Sequence, residues 1–293
     1  LTFSALFWVP WMLLRASRRA ERPDWNQRTG TMPIPRTKDA QRVWLHAVSV
    51  GEVVAALPIL KELRQALPGY EIVLSVTTSS GHRTARERAE GLYDHLVYLP
   101  IDVLRFQFNA LSQVRPQVVA ILETELWLNF LWSAKHLGAR TLLINGRISD
   151  RSLRRSRYLR PFYRHIFGYL DRVLAQSDRD REKLEYLGAH KAEVLGNCKF
   201  DQAAESGADP VAVRKDLGIP QGRKVIVIGS TRGPDEERLV IDALKEVGLS
   251  GLSIVHAPRH LERVHELKEA VESAFGSAAL RSRGDRADYL ILD

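Results

Sequence analysis

The stretch Arg42-Val43-Trp44-Leu45-His46-Ala47-Val48-Ser49-Val50-Gly51-Glu52 constrains this chain most. It is a largely apolar run that turns abruptly at Ser49 to Glu52 into a long amphipathic segment. Continuous apolar character suits a parallel strand covered on both faces, and Val53, Leu57, Leu60, Leu63 and Leu67 recur at helical spacing. The reading is strand, tight turn, helix, with Glu52 at the turn. In an open α/β sheet the ligand crevice lies outside the carboxyl ends of the strands, where this order delivers a carboxylate. Ser49-x-x-Glu52 equally fits a capping box, with Ser49 as N-cap and Glu52 folding back onto a free backbone donor. On spacing alone the capping role is favoured.

Beyond this stretch, apolar strand-like runs at 71–76, 95–99, 118–122, 141–145 and 172–175 alternate with helical patterns. Such alternation predicts parallel βα units and a Rossmann-like domain over residues 42–200. Residues 201–210 are rich in Ala, Ser, Gly and Asp, as a linker should be. A second series follows, with strands at 224–228, 252–256 and 289–292 and helices at 234–247 and 261–275. That is only part of a doubly wound fold, so residues 201–293 are expected to form a second Rossmann-like domain that is truncated.

Upstream, residues 1–14 are apolar and aromatic apart from Thr2, Ser4 and Pro10, and Arg15, Arg18, Arg19 and Arg22 follow. A secretory signal would place its charges first and a small-residue cleavage site last, the reverse of this order. The apolar run is also shorter than the roughly 20 residues needed to span a bilayer. Residues 1–22 therefore read as a membrane anchor segment, interfacial or the remainder of a longer span, that holds the body of the protein on the cytoplasmic side. A buried core helix is the alternative. Residues 23–41 turn to Pro, Arg, Thr and Gly and read as a linker, with the folded body starting at Arg42.

Charge adds a partner class. Lys and Arg total 43 against 35 Asp and Glu, a net charge of +8 that favours an anionic partner. Arg151, Arg154, Arg155, Arg157, Arg160 and Arg164 fall in one acid-free stretch, interleaved with Leu153, Tyr158, Leu159, Phe162 and Tyr163. Basic and aromatic residues mixed in this way suit a membrane interface or a phosphorylated lipid, with RNA the competing polyanion and a solvated helix face the plainer reading. The single cysteine, Cys198, excludes an internal disulfide and any cysteine-based zinc site, and is at ease in a reducing compartment.

Polar residues concentrate where the first-domain strands end. Val76 leads into Thr77-Thr78-Ser79-Ser80-Gly81, Leu122 into Glu123-Thr124-Glu125-Leu126-Trp127, and Ile144 into Asn145-Gly146-Arg147-Ile148-Ser149. By the crevice rule these loops line one cleft with Glu52. Each loop taken singly is also explained by caps and turns. Glu123 and Glu125 are harder to place so simply, because a buried sheet end is a costly site for unpaired charge. Arg147 is the obvious partner for a structural ion pair.

These segments together resemble the bacterial 3-deoxy-D-manno-octulosonic acid (Kdo) transferases. The resemblance rests on Ser49-Val50-Gly51-Glu52, Glu123-Thr124-Glu125-Leu126-Trp127, Asn145-x-Arg147-x-Ser149, Gln176-Ser177-x-x-Asp180 and Gly196-Asn197-x-Lys199-Phe200-Asp201. Gly229-Ser230-Thr231 and Pro258-Arg259-His260-x-x-Arg263 look like the family's donor-side motifs. The chain departs from the family's pattern at Leu128, where Pro is usual, and at Arg232 to Glu236, where His and then Gly-Glu-Glu is usual.

The resemblance implies a glycosyltransferase B type fold of two Rossmann-like domains, with the acceptor bound by the first and CMP-Kdo by the second. It implies an inverting, metal-free transfer of Kdo to a sugar hydroxyl of the lipid A precursor, lipid IVA, at the cytoplasmic face of the inner membrane, beside acidic lipids and with no nucleic acid involved. No cofactor is implied beyond CMP-Kdo as donor substrate. Glu52 would be the base on the acceptor hydroxyl, and Glu123 would orient the acceptor or the base. Ser49, Gly51, Thr77, Thr78, Ser80, Glu125 and Arg147 would line the acceptor side, and Ser230, Thr231, Pro258, Arg259 and His260 the donor side. A UDP-N-acetylglucosamine 2-epimerase-like enzyme of the same fold and an inactive lipid-binding fragment are the competing readings.

Overall fold

A computed structural model describes residues 24–35, 40–204 and 209–293, and the chain divides into two compact units after Ser206. The first unit is built on a parallel sheet of seven strands: β1 (Gln41–His46), β2 (Tyr70–Val76), β3 (His95–Tyr98), β4 (Val118–Leu122), β5 (Arg140–Gly146), β6 (Arg172–Ala175) and β7 (Glu193–Val194). Their order is β3-β2-β1-β4-β5-β6-β7, so β1 pairs with β2 on one side and β4 on the other. The direction of winding reverses between β1 and β4. That is the topological switch point at which open α/β sheets bind ligands.

The apolar continuity of β1 follows from cover on both faces. Trp44 packs with Val73, Val119, Ile121 and Phe130 in one core, and Leu45 with Ile72, Leu74, Ala120 and Leu122 in the other. The helix Val50–Ala66 lies over the second core through Val53, Ala56 and Leu60.

Part of the stretch read as linker, 23–41, is bound to this unit. Met32 and Ile34 are buried in the core, Arg28 donates to the Leu99 carbonyl at 2.8 Å, and the buried Arg42 reaches the Pro35 carbonyl at 2.8 Å and Glu71 at 2.6 Å. Two apolar residues in an irregular segment make no periodic signal. The anchor segment read at 1–22 lies outside the described residues. Among the described residues no helix is long and apolar enough to cross a membrane.

The second unit has a parallel sheet in the order β10-β11-β9-β8, from β8 (Lys224–Gly229), β9 (Leu252–Ala257), β10 (Ala279–Leu280) and β11 (Tyr289–Ile291). Ile241, Leu244, Ile254, Leu267, Val271, Tyr289 and Ile291 form its core. Between the two sheets the expected linker at 201–210 is partly helical. Helices Cys198–Ala204 and Pro210–Asp216 flank residues 205–208, and the first packs against the helix Val50–Ala66.

Candidate active site

Glu52 sits in the first turn of the helix after β1, only 8% exposed. Its carboxylate accepts from the Val48 backbone N–H at 2.8 Å and from the Ser49 hydroxyl at 3.1 Å. The capping box is therefore half made. Glu52 reaches back past the N-cap, while the Ser49 side chain gives no cap bond and turns to the carboxylate instead. Burial pushes the Glu52 carboxyl above its ordinary range, and the charge of Glu123 pushes the same way. The donors Val48 and Ser49 and the charge of Lys199 oppose that rise. Gly51 stands exposed, and a Cβ there would meet nothing within 4 Å.

The loop after β2 braces this turn. Thr77 and Thr78 both donate backbone N–H groups to the Val48 carbonyl at 3.2 Å. The Thr78 hydroxyl caps the helix Ser79–Arg88 by accepting from Gly81 N–H at 3.0 Å, and Ser80 donates to it at 3.3 Å. Thr78 and Ser80 are thus occupied in the cap. The Thr77 hydroxyl is buried with no hydrogen-bond partner among the described residues.

Across the switch point, Glu123 follows β4 with a left-handed φ of 58°, a conformation that a non-glycine residue adopts only where its surroundings impose it. It is 5% exposed and both of its oxygens are taken by cations. Arg147 binds Oε2 at 2.8 Å through Nε and 2.7 Å through Nη2, and Lys199 binds Oε1 at 2.9 Å. The side chains of Arg147 and Lys199 are themselves 53% and 39% exposed. Glu125 lies close enough to both other acids to feel their charge. Burial first, then Glu52 and Glu123, push its carboxyl up to about 7.

Lys199 is the member of this cluster that the sequence alone does not mark as a site residue, although it stands in the motif Gly196-Asn197-x-Lys199-Phe200-Asp201. The helix Cys198–Ala204 carries it back to the site, and Asn145 helps hold that helix by accepting the Cys198 N–H at 3.3 Å. Asn145 also has a left-handed φ, of 56°, and its buried Nδ2 has no acceptor among the described residues. His46, the last residue of β1, is a second omission. Its Nδ1 faces Ser75 Oγ at 2.9 Å, and burial keeps the ring neutral by lowering its pKa to about 3.

The donor-side residues gather in the second unit at the carboxyl ends of β8 and β9. Ser230 is left-handed, with φ 63°, and its N–H reaches the Ala257 carbonyl at 2.6 Å. Arg259 N–H donates to the Thr231 carbonyl at 3.0 Å, which ties the two strand ends together. Pro258 is half-buried beside it, the Arg259 side chain is exposed, and His260 is exposed and contacts Glu262 at 3.1 Å. Among the described residues no three His, Cys, Asp or Glu side chains are grouped so as to hold a metal ion.

A doubly wound sheet with acids and cations at its switch point, followed by a second βα unit with a polar turn at two adjacent strand ends, has the architecture of the glycosyltransferase B fold. Solved structures of similar architecture agree. A UDP-GlcNAc 2-epimerase from Neisseria meningitidis bound to UDP-GlcNAc superposes with a TM-score of 0.59 at 14% identity, over 86% of this chain and 72% of that one. MurG from Acinetobacter baumannii superposes with a TM-score of 0.52 at 12% identity, over 86% and 67%. At these identities the likeness is one of fold.

Sequence makes the family specific. Residues 23–202 match the family model of the 3-deoxy-D-manno-octulosonic-acid transferases (kdotransferases), and the chain belongs to that family. The Chlamydia pneumoniae 3-deoxy-D-manno-octulosonic acid transferase is 30% identical over 85% of this chain and 57% of its own length. The Bordetella pertussis enzyme of the same name is 31% identical over 84% and 58%. The chain thus spans under three fifths of the length of these two relatives.

Proposed function

We propose that the protein transfers Kdo from CMP-Kdo to a hydroxyl of the lipid A precursor, lipid IVA, with inversion at the transferred carbon. The observation that carries this reading is Glu52, a buried carboxylate at the switch point that is held only by neutral donors and whose proton affinity is raised by burial. A base of that kind can accept the proton of an attacking sugar hydroxyl near neutral pH. Glu123 acts through its neighbours, fixing Arg147 and Lys199 beside the base. In the second unit Arg259, with Ser230 and Thr231, meets the departing phosphate of CMP, where charge-assisted bonds favour the leaving group. The reaction needs no metal in this account.

The acceptor is a lipid, and the arginine-rich stretch supports a membrane setting. Tyr158 is 74% exposed, Leu159 and Phe162 are also exposed, and Arg151, Arg154, Arg155, Arg157, Arg160 and Arg164 all face solvent around them. Such a surface suits acidic headgroups at the cytoplasmic face of the inner membrane. The epimerase reading has the fold likeness alone behind it. The test is a transfer assay with full-length protein carrying this sequence, CMP-Kdo and lipid IVA, followed by assignment of the new anomeric centre. An inverted Kdo linkage is expected, and no transfer under conditions where the protein binds CMP-Kdo would overturn the proposal.

A further inference from the structure

Beneath the donor-side turn of the second unit, three side chains form a buried hydrogen-bonded chain that crosses the sheet from β11 through β9 to the end of β8. The Tyr289 hydroxyl lies 2.8 Å from His256 Nδ1, and His256 Nε2 lies 2.9 Å from Thr231 Oγ1. Tyr289, His256 and Thr231 are all buried, and His256 is flanked on both ring nitrogens by hydroxyls. Burial lowers the His256 pKa to about 4, so the ring is neutral, with one nitrogen donating and one accepting.

The direction of the chain is decided by which hydroxyl proton is left without a protein acceptor. If Thr231 donated to His256, then Nδ1–H would donate to Tyr289, whose own proton would be stranded. Tyr289 is almost wholly enclosed, and no other hydrogen bond holds its hydroxyl among the described residues. Glu237 is near enough for its charge to be felt, but it is engaged by Arg263 at 3.3 Å and makes no hydrogen bond to the phenol. A buried hydroxyl without an acceptor is costly. The opposite direction leaves the spare proton on Thr231, which is 6% exposed at the strand end, rather than on Tyr289, which is 1% exposed. Tyr289 donates to Nδ1, Nε2–H donates to Thr231 Oγ1, and the Thr231 proton is left over at the strand end, beside the left-handed Ser230.

We propose that His256 and Tyr289 are positioning residues that fix the Thr231 hydroxyl as a donor toward a phosphoryl oxygen at the β8 turn. The inference rests on the donor-side reading of this turn and names residues that the reading does not use. A neutral imidazole relay suits the task. It sets the direction of one hydroxyl without placing a charge behind the phosphate.

The test uses the intact protein and two readouts. Nitrogen-15 NMR of the imidazoles, with His256→Gln used to assign the signals, should show His256 protonated on Nε2 and bare on Nδ1 at neutral pH. Calorimetry with CMP should show Thr231→Val weakening binding by roughly 10- to 100-fold, the range for losing a hydrogen bond to a charged group. Thr231→Ser and His256→Gln, which retain the hydroxyl and the donor behind it, should bind within several-fold of the parent. Tyr289→Phe should shift the tautomer toward Nδ1–H and weaken CMP binding. Cytidine, which lacks the phosphate, should be bound equally by all the variants. An Nδ1–H tautomer in the parent, or CMP affinity unchanged by Thr231→Val, would overturn the inference. A parent that binds UMP in preference to CMP with the same dependence on Thr231 and Tyr289 would support it and remove CMP-Kdo as the donor. A parent that binds neither nucleotide would overturn it whatever the transfer assay shows.

Discussion

At the scale of single residues the site separates acids by what holds them. Glu123 has a cation on each oxygen and is committed to keeping Arg147 and Lys199 in place, whereas Glu52 is met by an amide and a hydroxyl and keeps a raised affinity for a proton. Glu125 carries the clearest consequence for stability. Its carboxyl is raised to about 7 in the folded protein against an ordinary value of 4.5. The folded state therefore holds the proton more tightly than the unfolded chain. The associated stability is fully present below pH 4.5 and is lost as pH rises through 7. Glu125→Gln should erase that loss, matching the parent near pH 4 and exceeding it at pH 8 by on the order of 1–3 kcal/mol, allowing for partial exposure. Urea midpoints across this range check it, and a variant less stable than the parent at pH 8 would contradict it. Glu52, Glu123, Glu125 and Arg147 were legible because charge at the end of an apolar strand is conspicuous. Lys199 and His256 were not, since their partners are brought to them only by the folded backbone.

At the scale of elements, the strand ends are tied together by a few backbone contacts, and Gly81 sits on one of them. A Cβ at this position would stand 2.9 Å from the capping hydroxyl of Thr78 and 3.3 Å from the Val48 carbonyl. Alanine ordinarily gains up to about 1 kcal/mol over glycine inside a helix. Here the hydroxyl can yield only by giving up the cap, and the carbonyl belongs to the residue whose N–H holds Glu52. Overpacking of this kind costs about 1–3 kcal/mol. Gly81→Ala should therefore lower the melting temperature and lower turnover with it, and a raised melting temperature with full activity would show that the loop has room. The strands from β1 to β6, β9 and β11 could be read in advance because they are covered and their runs are apolar, and β8 because its run is apolar although none of its residues is buried. Two-residue strands such as β7 and β10 leave no pattern, and neither does the helix Cys198–Ala204, whose Ala-rich end resembles a linker.

At the scale of the molecule, net positive charge and the exposed arginines of 151–164 predict binding to membranes that is electrostatic in part. Each arginine near an acidic surface contributes roughly 1 kcal/mol. Replacing Arg151, Arg154, Arg155 and Arg164 by Gln should weaken binding to vesicles containing phosphatidylglycerol by on the order of a hundred-fold or more, and raising salt from 0.1 to about 1 M, which shortens the screening length from about 10 to 3 Å, should weaken the parent likewise. Co-sedimentation at both salt concentrations measures this, and equal binding to neutral vesicles would refute the electrostatic part. Whether Glu52 is a base or only a cap is decided by the turnover of Glu52→Gln in the full-length protein beside its melting temperature. Gln can still accept from the Val48 N–H, so the fold should hold within a few degrees, but it cannot take a proton, and turnover should fall by on the order of 10²–10⁴-fold. A Gln variant that turns over normally would contradict the account and leave Glu52 as half of a capping box.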